Sequence, residues 1–181
     1  EEIAPTTVKP NGYEDWQVPW KKQVETIADA VGKEDEGDKL IDDTEKAFEE
    51  FRHEHAELQD KSAAIVMPYD GKIGLYTEED GRGQFIEDLG MEIPDALQGD
   101  GGSFFVDIAP ENYAKLNQVD YLFVLDYNGS SAALKKDKTF QGLDSVKDGR
   151  VRYLDTDTGN AMSMPNPVTI PWAVDKFEEK L

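Results

Sequence analysis

The first sixty residues carry apolar side chains at helical spacing. A first helix is predicted over about 16 to 31 and a second over roughly 34 to 60, because apolar positions recur three or four residues apart in both. Gly32 provides a stop between them. The second helix has one apolar stripe and a densely charged opposite side, which is typical of a surface helix. We expect the first helix to pack through an apolar face formed by Val24, Ile27 and Val31.

Beyond residue 60, short apolar runs alternate with helical patterns. Five runs are typical of strands: AAIVMPY, KIGLY, SFFVDI, VDYLFVLD and RVRYLD. The fourth has six apolar or aromatic residues in eight positions with little alternation, so both of its faces should be covered. Helical patterns separate most of the runs, and a final helix is predicted from Asn166. This order predicts an α/β fold, a three-layer sandwich with a mostly parallel central sheet.

Three loops that follow predicted strands are candidates for a ligand site. In sheets of this class, ligands bind beyond the carboxyl ends of the strands. The loops at 77–82, 126–131 and 155–165 are therefore expected to open on one edge. The first contains Arg82, a cation flanked by two glycines in an acidic stretch. Its guanidinium suits oxygen anions and the glycines would let a ligand approach, although a solvated surface charge is the alternative. In that loop, its replacement should hardly change stability.

The charge balance narrows the possible partners. The chain has 39 acidic and 19 basic residues, a net charge of −20. A surface this acidic repels nucleic acids and anionic membranes, so neither is expected as a partner. The absence of cysteine excludes disulfides and thiol catalysis. The opening residues, EEIAPTTVKP, lack the features of a signal peptide, and no window of the sequence is apolar enough to span a membrane.

Motifs for metal binding or catalysis are weak. His53 and His55 are two residues apart on a predicted helix and point about 200° away from each other, so they cannot share an ion. DTDTGN, at 155–160, resembles the start of a calcium loop but has Gly159 where a third oxygen ligand belongs, which favours a turn. No G-x-S-x-G motif offers a hydrolase nucleophile. We therefore predict no metal site and no catalytic residue.

Five stretches, taken in order, resemble one family. They are IAPTTV, WKKQVETIADAVGKEDEGDKLI, GLYTEEDGRGQFIEDLGMEIP, DIAPENYAKLNQVDYLFVL and FQGLDSVKDGRVRYLD. The chain resembles the C-terminal half of the iron-siderophore substrate-binding proteins of ABC transporters, whose two lobes are joined by one long helix. The resemblance implies an extended lead-in at 1–15 from a missing N-terminal lobe, a linking helix and surface helix at 16–60, and a C-terminal ligand-binding lobe at 61–181.

The resemblance also implies roles for particular residues. Arg82 falls at a family position where an arginine often faces an anionic ferric-siderophore complex in the cleft between the lobes. Glu111 matches a family glutamate that docks on arginines of the permease, although an exposed acid in the first turn of a helix explains it nearly as well. The further ligand candidates are Tyr127, Asn128, Met162 and Tyr76, of which Tyr76 could equally be packed within its strand.

These implications define the functional hypotheses. The leading one is a monomeric, non-catalytic substrate-binding component for ferric-siderophore uptake, with no cofactor of its own. It would be extracytoplasmic, as a periplasmic protein or a cell-surface lipoprotein anchored outside this sequence. The alternatives are a haem or cobalamin binding protein of the same class, an α/β enzyme fragment whose nucleophile lies in the missing half, and a non-catalytic interaction domain.

Overall fold

The computed structural model describes residues 9–15 and 17–181. Most of the predicted lead-in and the residue at which the first helix was expected to begin lie outside these ranges. The helices are α1 Trp20–Val31, α2 Glu34–Glu54, α3 Gly81–Asp88, α4 Ser131–Leu134, α5 Lys138–Gln141, α6 Asp144–Lys147, α7 Thr156–Ser163 and α8 Thr169–Glu178. Short 3₁₀ helices cover Ala56–Leu58, Asp95–Leu97, Pro110–Gln118 and Tyr127–Gly129.

The first helix packs through only part of the face that was expected, because Val24 packs against the core but Ile27 and Val31 do not. Gly32 ends α1 in the left-handed conformation, at φ 68°, and α2 folds back against it. The two helices meet closely where Gly37 faces Ala28, since a Cβ added at Gly37 would lie 2.5 Å from the Ala28 Cβ. This contact turns the Ala28 side of α1 inward, and Ile27 and Val31 are each left 62% exposed. The predicted packing of the latter two is therefore wrong.

All five predicted strands form, and they join one sheet in the order β3-β2-β1-β4-β5. The strands are β1 Ala63–Tyr69, β2 Lys72–Tyr76, β3 Phe105–Ile108, β4 Tyr121–Asp126 and β5 Val151–Asp155. β4 pairs in parallel with β1 and β5, and β2 pairs antiparallel with β1 and β3. The predicted α/β class is confirmed, and the sheet is mixed because β2 alone runs against the direction shared by β1, β3, β4 and β5.

A two-residue turn explains the mixed sheet. Asp70 and Gly71 both have positive φ, 44° and 73°, which is the conformation of a type I′ hairpin turn. Because a turn this short reverses the chain, β2 must run antiparallel to β1. β4 follows a longer crossover and joins the other edge of β1 in parallel.

The sheet lies between two hydrophobic layers. On one face, α2, α3, α7 and α8 cover a core that includes Phe48, Phe85, Phe123, Met162 and Phe177. On the opposite face, a second core gathers around Tyr113, Leu134 and Phe140. β4 supplies completely buried residues to both, as its continuous apolar run predicts. None of the described helices is long and apolar enough to cross a membrane.

Candidate functional site

Arg82 lies in the first turn of α3 rather than in a flexible loop. Asp80 caps this helix, because its carboxylate accepts the backbone N–H of Arg82 at 2.9 Å. The flanking glycines allow close packing. A Cβ at Gly83 would lie 1.9 Å from the Thr77 carbonyl oxygen, and one at Gly81 would lie 2.9 Å from Pro165 Cδ. The glycines therefore allow α3 to pack closely against Thr77 and Pro165. The sequence predicted instead that they would let a ligand approach.

The Arg82 side chain is held in place by an acid and an aromatic ring. Its Nη1 donates to Asp80 Oδ1 at 2.9 Å and to Oδ2 at 3.1 Å. The guanidinium carbon lies 4.1 Å from the centre of the Tyr76 ring, in cation–π geometry. The Arg82 side chain is only 15% exposed and that of Asp80 only 4%. The cation is thus largely removed from solvent and aligned by two neighbours.

Burial and charge act against each other in this group. Burial raises the pKa of Asp80, and the contacts with Arg82 act in the opposite direction. Burial lowers the pKa of Arg82, but the nearby Asp80 and the hydroxyl groups of Tyr76 and Tyr127 outweigh it, so the Arg82 pKa is raised. Burial also raises the pKa of Tyr76 to about 12. Tyr76 is therefore neutral at physiological pH and Arg82 stays charged.

Two buried polar atoms of this group lack hydrogen-bond partners among the described residues. They are Arg82 Nε and the hydroxyl oxygen of Tyr127. Gly159 of α7 makes room for that hydroxyl, since a Cβ there would lie 2.8 Å from it. Buried polar atoms without partners are uncommon in folded proteins. Both atoms are buried, and the Tyr127 hydroxyl lies near enough to the Arg82 guanidinium to contribute to its raised pKa. Tyr127 is therefore a third neighbour of the cation, after Asp80 and Tyr76.

The three predicted loops do not open on one edge in the way expected. Tyr76, at the end of β2, pairs with Ile65 near the start of β1, because β2 runs antiparallel. Asp126 and Asp155 pair with each other at the ends of β4 and β5, which run parallel to β1. The loop at 77–82 therefore begins at the opposite end of the sheet. The Arg82 guanidinium nevertheless lies over the Tyr76 ring and near Tyr127, the residue that follows β4.

The other predicted ligand residues occupy different environments. Tyr127 is half-buried beside Arg82, and Asn128 is exposed with a left-handed backbone, at φ 51°. Tyr76 is 6% exposed, and its ring packs against the Arg82 guanidinium. Met162 is completely buried in the core, so it presents no surface to a ligand and its predicted role is corrected to packing. Met162 belongs to the helix α7 and lies on its buried side. Because the sequence predicted a loop at 155–165, this burial was not expected.

An aromatic surface that sequence reasoning missed adjoins this group. Phe105 of β3 contacts both Tyr76 and Tyr69, with ring centres 5.2 and 5.6 Å away. Phe105 lies across Gly74, since a Cβ there would be 1.8 Å from its ring. Met67 Sδ is 3.7 Å from the Tyr76 hydroxyl. Met67, Tyr69 and Phe105 are only half-buried. The glycine inside the KIGLY run was the available signal, because strand glycines often mark a close approach.

A groove of about 400 Å³ includes Gly81, the first residue of α3, in its lining. The other lining residues come from the start of the described chain, from α1 and from the α7–α8 connection. Its lining includes Lys9, Gln23, Met164 and Asn166. The predicted third loop thus contributes to a surface next to Arg82, through residues that follow α7.

Glu111 lies apart from the Arg82 group. It is exposed in the first turn of the 3₁₀ helix that follows β3. β3 runs antiparallel to β2, so this helix begins at the end of the sheet where β4 and β5 finish. In the described part of the chain, no group of three or more histidine, cysteine or acidic side chains is arranged to hold a metal ion.

The chain was compared with known protein families and with solved structures. The sequence profile of the family described as periplasmic binding protein matches residues 1–158. The chain belongs to the periplasmic binding protein family. No curated protein was found to match the sequence.

Solved structures of binding proteins share this fold. PiaA, the iron uptake ABC transporter substrate-binding protein of Streptococcus pneumoniae TIGR4, is 27% identical over 91% of this chain and 58% of its own, with a TM-score of 0.75. PiaA in complex with ferrichrome superposes with a TM-score of 0.76, at 27% identity over 91% of this chain and 57% of PiaA. A periplasmic solute binding protein of Mycobacterium smegmatis MC2 155 has a TM-score of 0.81 at 23% identity, over 98% and 60% of the two chains, and shows the fold alone. The chain therefore spans less than two thirds of the length of these relatives.

Proposed function

We propose that the full-length protein binds a ferric siderophore outside the cytoplasmic membrane and delivers it to an ABC permease, without catalysing a reaction. The observation that carries this proposal is the Arg82 group, in which Asp80 and the Tyr76 ring align a largely buried guanidinium. The likeness to PiaA, which has been solved with ferrichrome, supports it. Because this chain spans 57% of that relative, the ligand would be enclosed together with residues outside this sequence.

The chemistry of the site suits the oxygen ligands of a ferric siderophore. Hydroxamate and catecholate oxygens carry negative charge density, and a guanidinium donates to such oxygens through a planar fork. The half-buried rings of Tyr69 and Phe105 offer apolar area for the organic framework of the ligand. A catalytic role is not favoured, because the Asp80 carboxylate is bound to Arg82, which stays protonated.

A ligand titration of the full-length protein tests the function. The chain has three tryptophans, so binding of a coloured iron complex should quench its fluorescence. We expect saturable quenching by ferrichrome and none by the iron-free siderophore. Haemin is the matched competitor, and saturation by haemin alone would replace our proposal with the haem alternative. Turnover of ester or phosphate substrates would instead support an enzyme.

We also propose that Glu111 contributes to permease docking. Its exposure, at the end of the sheet where β4 and β5 finish, leaves it accessible to another protein. Glu111→Arg should slow uptake in cells while leaving the affinity for the ligand unchanged, because it is separate from the Arg82 group. Asp95→Arg, a charge reversal in the first turn of another 3₁₀ helix, is the control. Equal uptake by the Glu111 variant and the wild type would remove Glu111 from docking.

A further inference from the structure

The positive charge of the Arg82 group is already balanced within this chain. Asp80 contacts the Arg82 guanidinium with both carboxylate oxygens, and each side chain is largely buried. The other side chains that face the guanidinium are the neutral phenols of Tyr76 and Tyr127. The guanidinium can donate hydrogen bonds, but the group as a whole presents no net positive charge to a ligand.

The positive charge next to the aromatic surface of Met67, Tyr69 and Phe105 is also neutralised by an acid. Lys72, on the same face of the sheet as Phe105, is paired with Asp107 at 2.8 Å. Tyr69 also hydrogen-bonds to that carboxylate. Glu78 and Glu79 add two acids immediately before Asp80. Both cations of the surface are therefore matched by an acid, within a chain of net charge −20.

Asp80 cannot easily leave its position when a ligand arrives. Its Oδ1 accepts both the backbone N–H and Nη1 of Arg82, each at 2.9 Å. Moving the carboxylate away would remove the cap of α3 together with the ion pair. The contacts to Asp80 use Nη1 alone, and the Arg82 side chain keeps 15% of its surface exposed. The group can thus offer a hydrogen bond without offering a charge.

We infer that Asp80 is a specificity-determining residue that biases the site toward iron complexes without net negative charge. Three hydroxamates neutralise Fe³⁺, whereas three catecholates leave a complex of charge −3. A triply negative complex would have to approach a neutral pair in an acidic chain, and it would be repelled. The site therefore favours neutral or cationic ferric hydroxamates over ferric tris-catecholates. This inference rests on the proposed function and adds a charge preference to it.

The test compares three ferric complexes of different charge on the full-length protein: ferrichrome (0), ferrioxamine B (+1) and ferric enterobactin (−3). We expect the wild type to bind the first two more tightly than the third. Asp80→Asn keeps an oxygen to cap α3 and removes the acid, so the positive charge of Arg82 becomes available. It should shift the ratio of affinities toward ferric enterobactin by about tenfold or more, since one charge changes beside the ligand. Asp80→Ser, which also caps helices, should shift it in the same direction.

A distant substitution with the same charge change serves as the control. Asp144→Asn removes an exposed acid, 68% exposed, from the helix α6 on the opposite face of the sheet. It should leave the affinity ratio unchanged. Tighter wild-type binding of ferric enterobactin than of ferrichrome would overturn the inference, as would equal ratios for Asp80→Asn, Asp80→Ser and the wild type. Failure of the wild type to bind any of the three complexes would instead overturn the proposed function.

Discussion

Two ion pairs of the same chemical kind lie in opposite surroundings in this molecule. On α2, Asp43 is paired with Lys39 and Lys46, and these side chains are 43–75% exposed. In the site, Arg82 and Asp80 are 15% and 4% exposed. Exposed pairs contribute about 0–1 kcal/mol to stability, whereas removing one partner of a buried pair costs roughly 3–5 kcal/mol. Only the second pair constrains the structure around it.

The pKa shifts of the two acids express the same difference. Hydrogen bonds from Lys39 and Lys46 lower the pKa of Asp43 to about 2. Burial raises the pKa of Asp80, even though Arg82 contacts both of its oxygens. Water and two lysines stabilise the charged form of Asp43. Removal from water destabilises the charged form of Asp80. An aligned and poorly solvated cation is the kind of group that binds a ligand with little further reorganisation.

The largest expected effect of a substitution is that of Arg82→Ala. Removing the guanidinium leaves Asp80 buried without its partner, so the free energy of unfolding should fall by roughly 3 kcal/mol. This corrects the sequence-based expectation that stability would hardly change, because that expectation placed Arg82 in an exposed loop. Chemical denaturation of the full-length protein measures this change in the free energy of unfolding. Adding Asp80→Asn to Arg82→Ala should restore part of the loss, since no charge then remains buried.

The same substitution should weaken binding. Loss of a charge-assisted contact worth roughly 1.5–3 kcal/mol corresponds to about a ten- to hundredfold loss of affinity for the ferric complex, measured below the unfolding transition. Arg82→Lys should recover only part of it, because an ammonium lacks the planar fork. Unchanged affinity for Arg82→Ala would leave Arg82 with a structural role only.

Lys39→Ala is the matched control from the exposed pair. It removes one partner of Asp43, which keeps Lys46 as a second partner at 2.6 Å. Because these side chains are solvated, stability should change by less than about 0.5 kcal/mol and ligand affinity should not change. A loss as large as that of Arg82→Ala would mean that burial does not separate the two pairs.

The smallest expected effect, apart from that control, concerns Glu87 and depends on pH. Burial and the neighbouring Glu78 raise the pKa of Glu87 to about 7. A carboxyl with a raised pKa binds its proton more tightly when folded, so it opposes folding increasingly as pH rises from about 4.5 to 7. Glu87→Gln should therefore increase stability at pH 8 and leave it unchanged at pH 4. The side chain is only partly desolvated and keeps contact with water, so the gain should be modest. Thermal unfolding at the two pH values measures it, and equal shifts at both would contradict the prediction.

Local patterns in the sequence predicted the elements of the fold well. The five apolar runs became the five strands because each run contains β-branched or aromatic residues, which favour the extended conformation. Arg82 could also be selected, since a single cation in an acidic stretch is visible without a structure. The end of α1 and the start of α2 followed from periodicity and from Gly32, whereas α2 ends at Glu54, before the predicted residue 60.

Partnerships between distant residues were decided only by the tertiary structure. The short turn at Asp70 and Gly71 sets the direction of β2, and so places the 77–82 loop at the unexpected end of the sheet. The contact between Gly37 and Ala28 decides which face of α1 is buried. Phe105 joins the site because β3 pairs with β2. Their register places Phe105 opposite Tyr76, which lies about thirty residues earlier in the sequence. Periodicity indicates which residues prefer burial. Packing between distant parts of the chain decides which neighbours bury them. The same packing makes Arg82 an aligned donor rather than a surface charge.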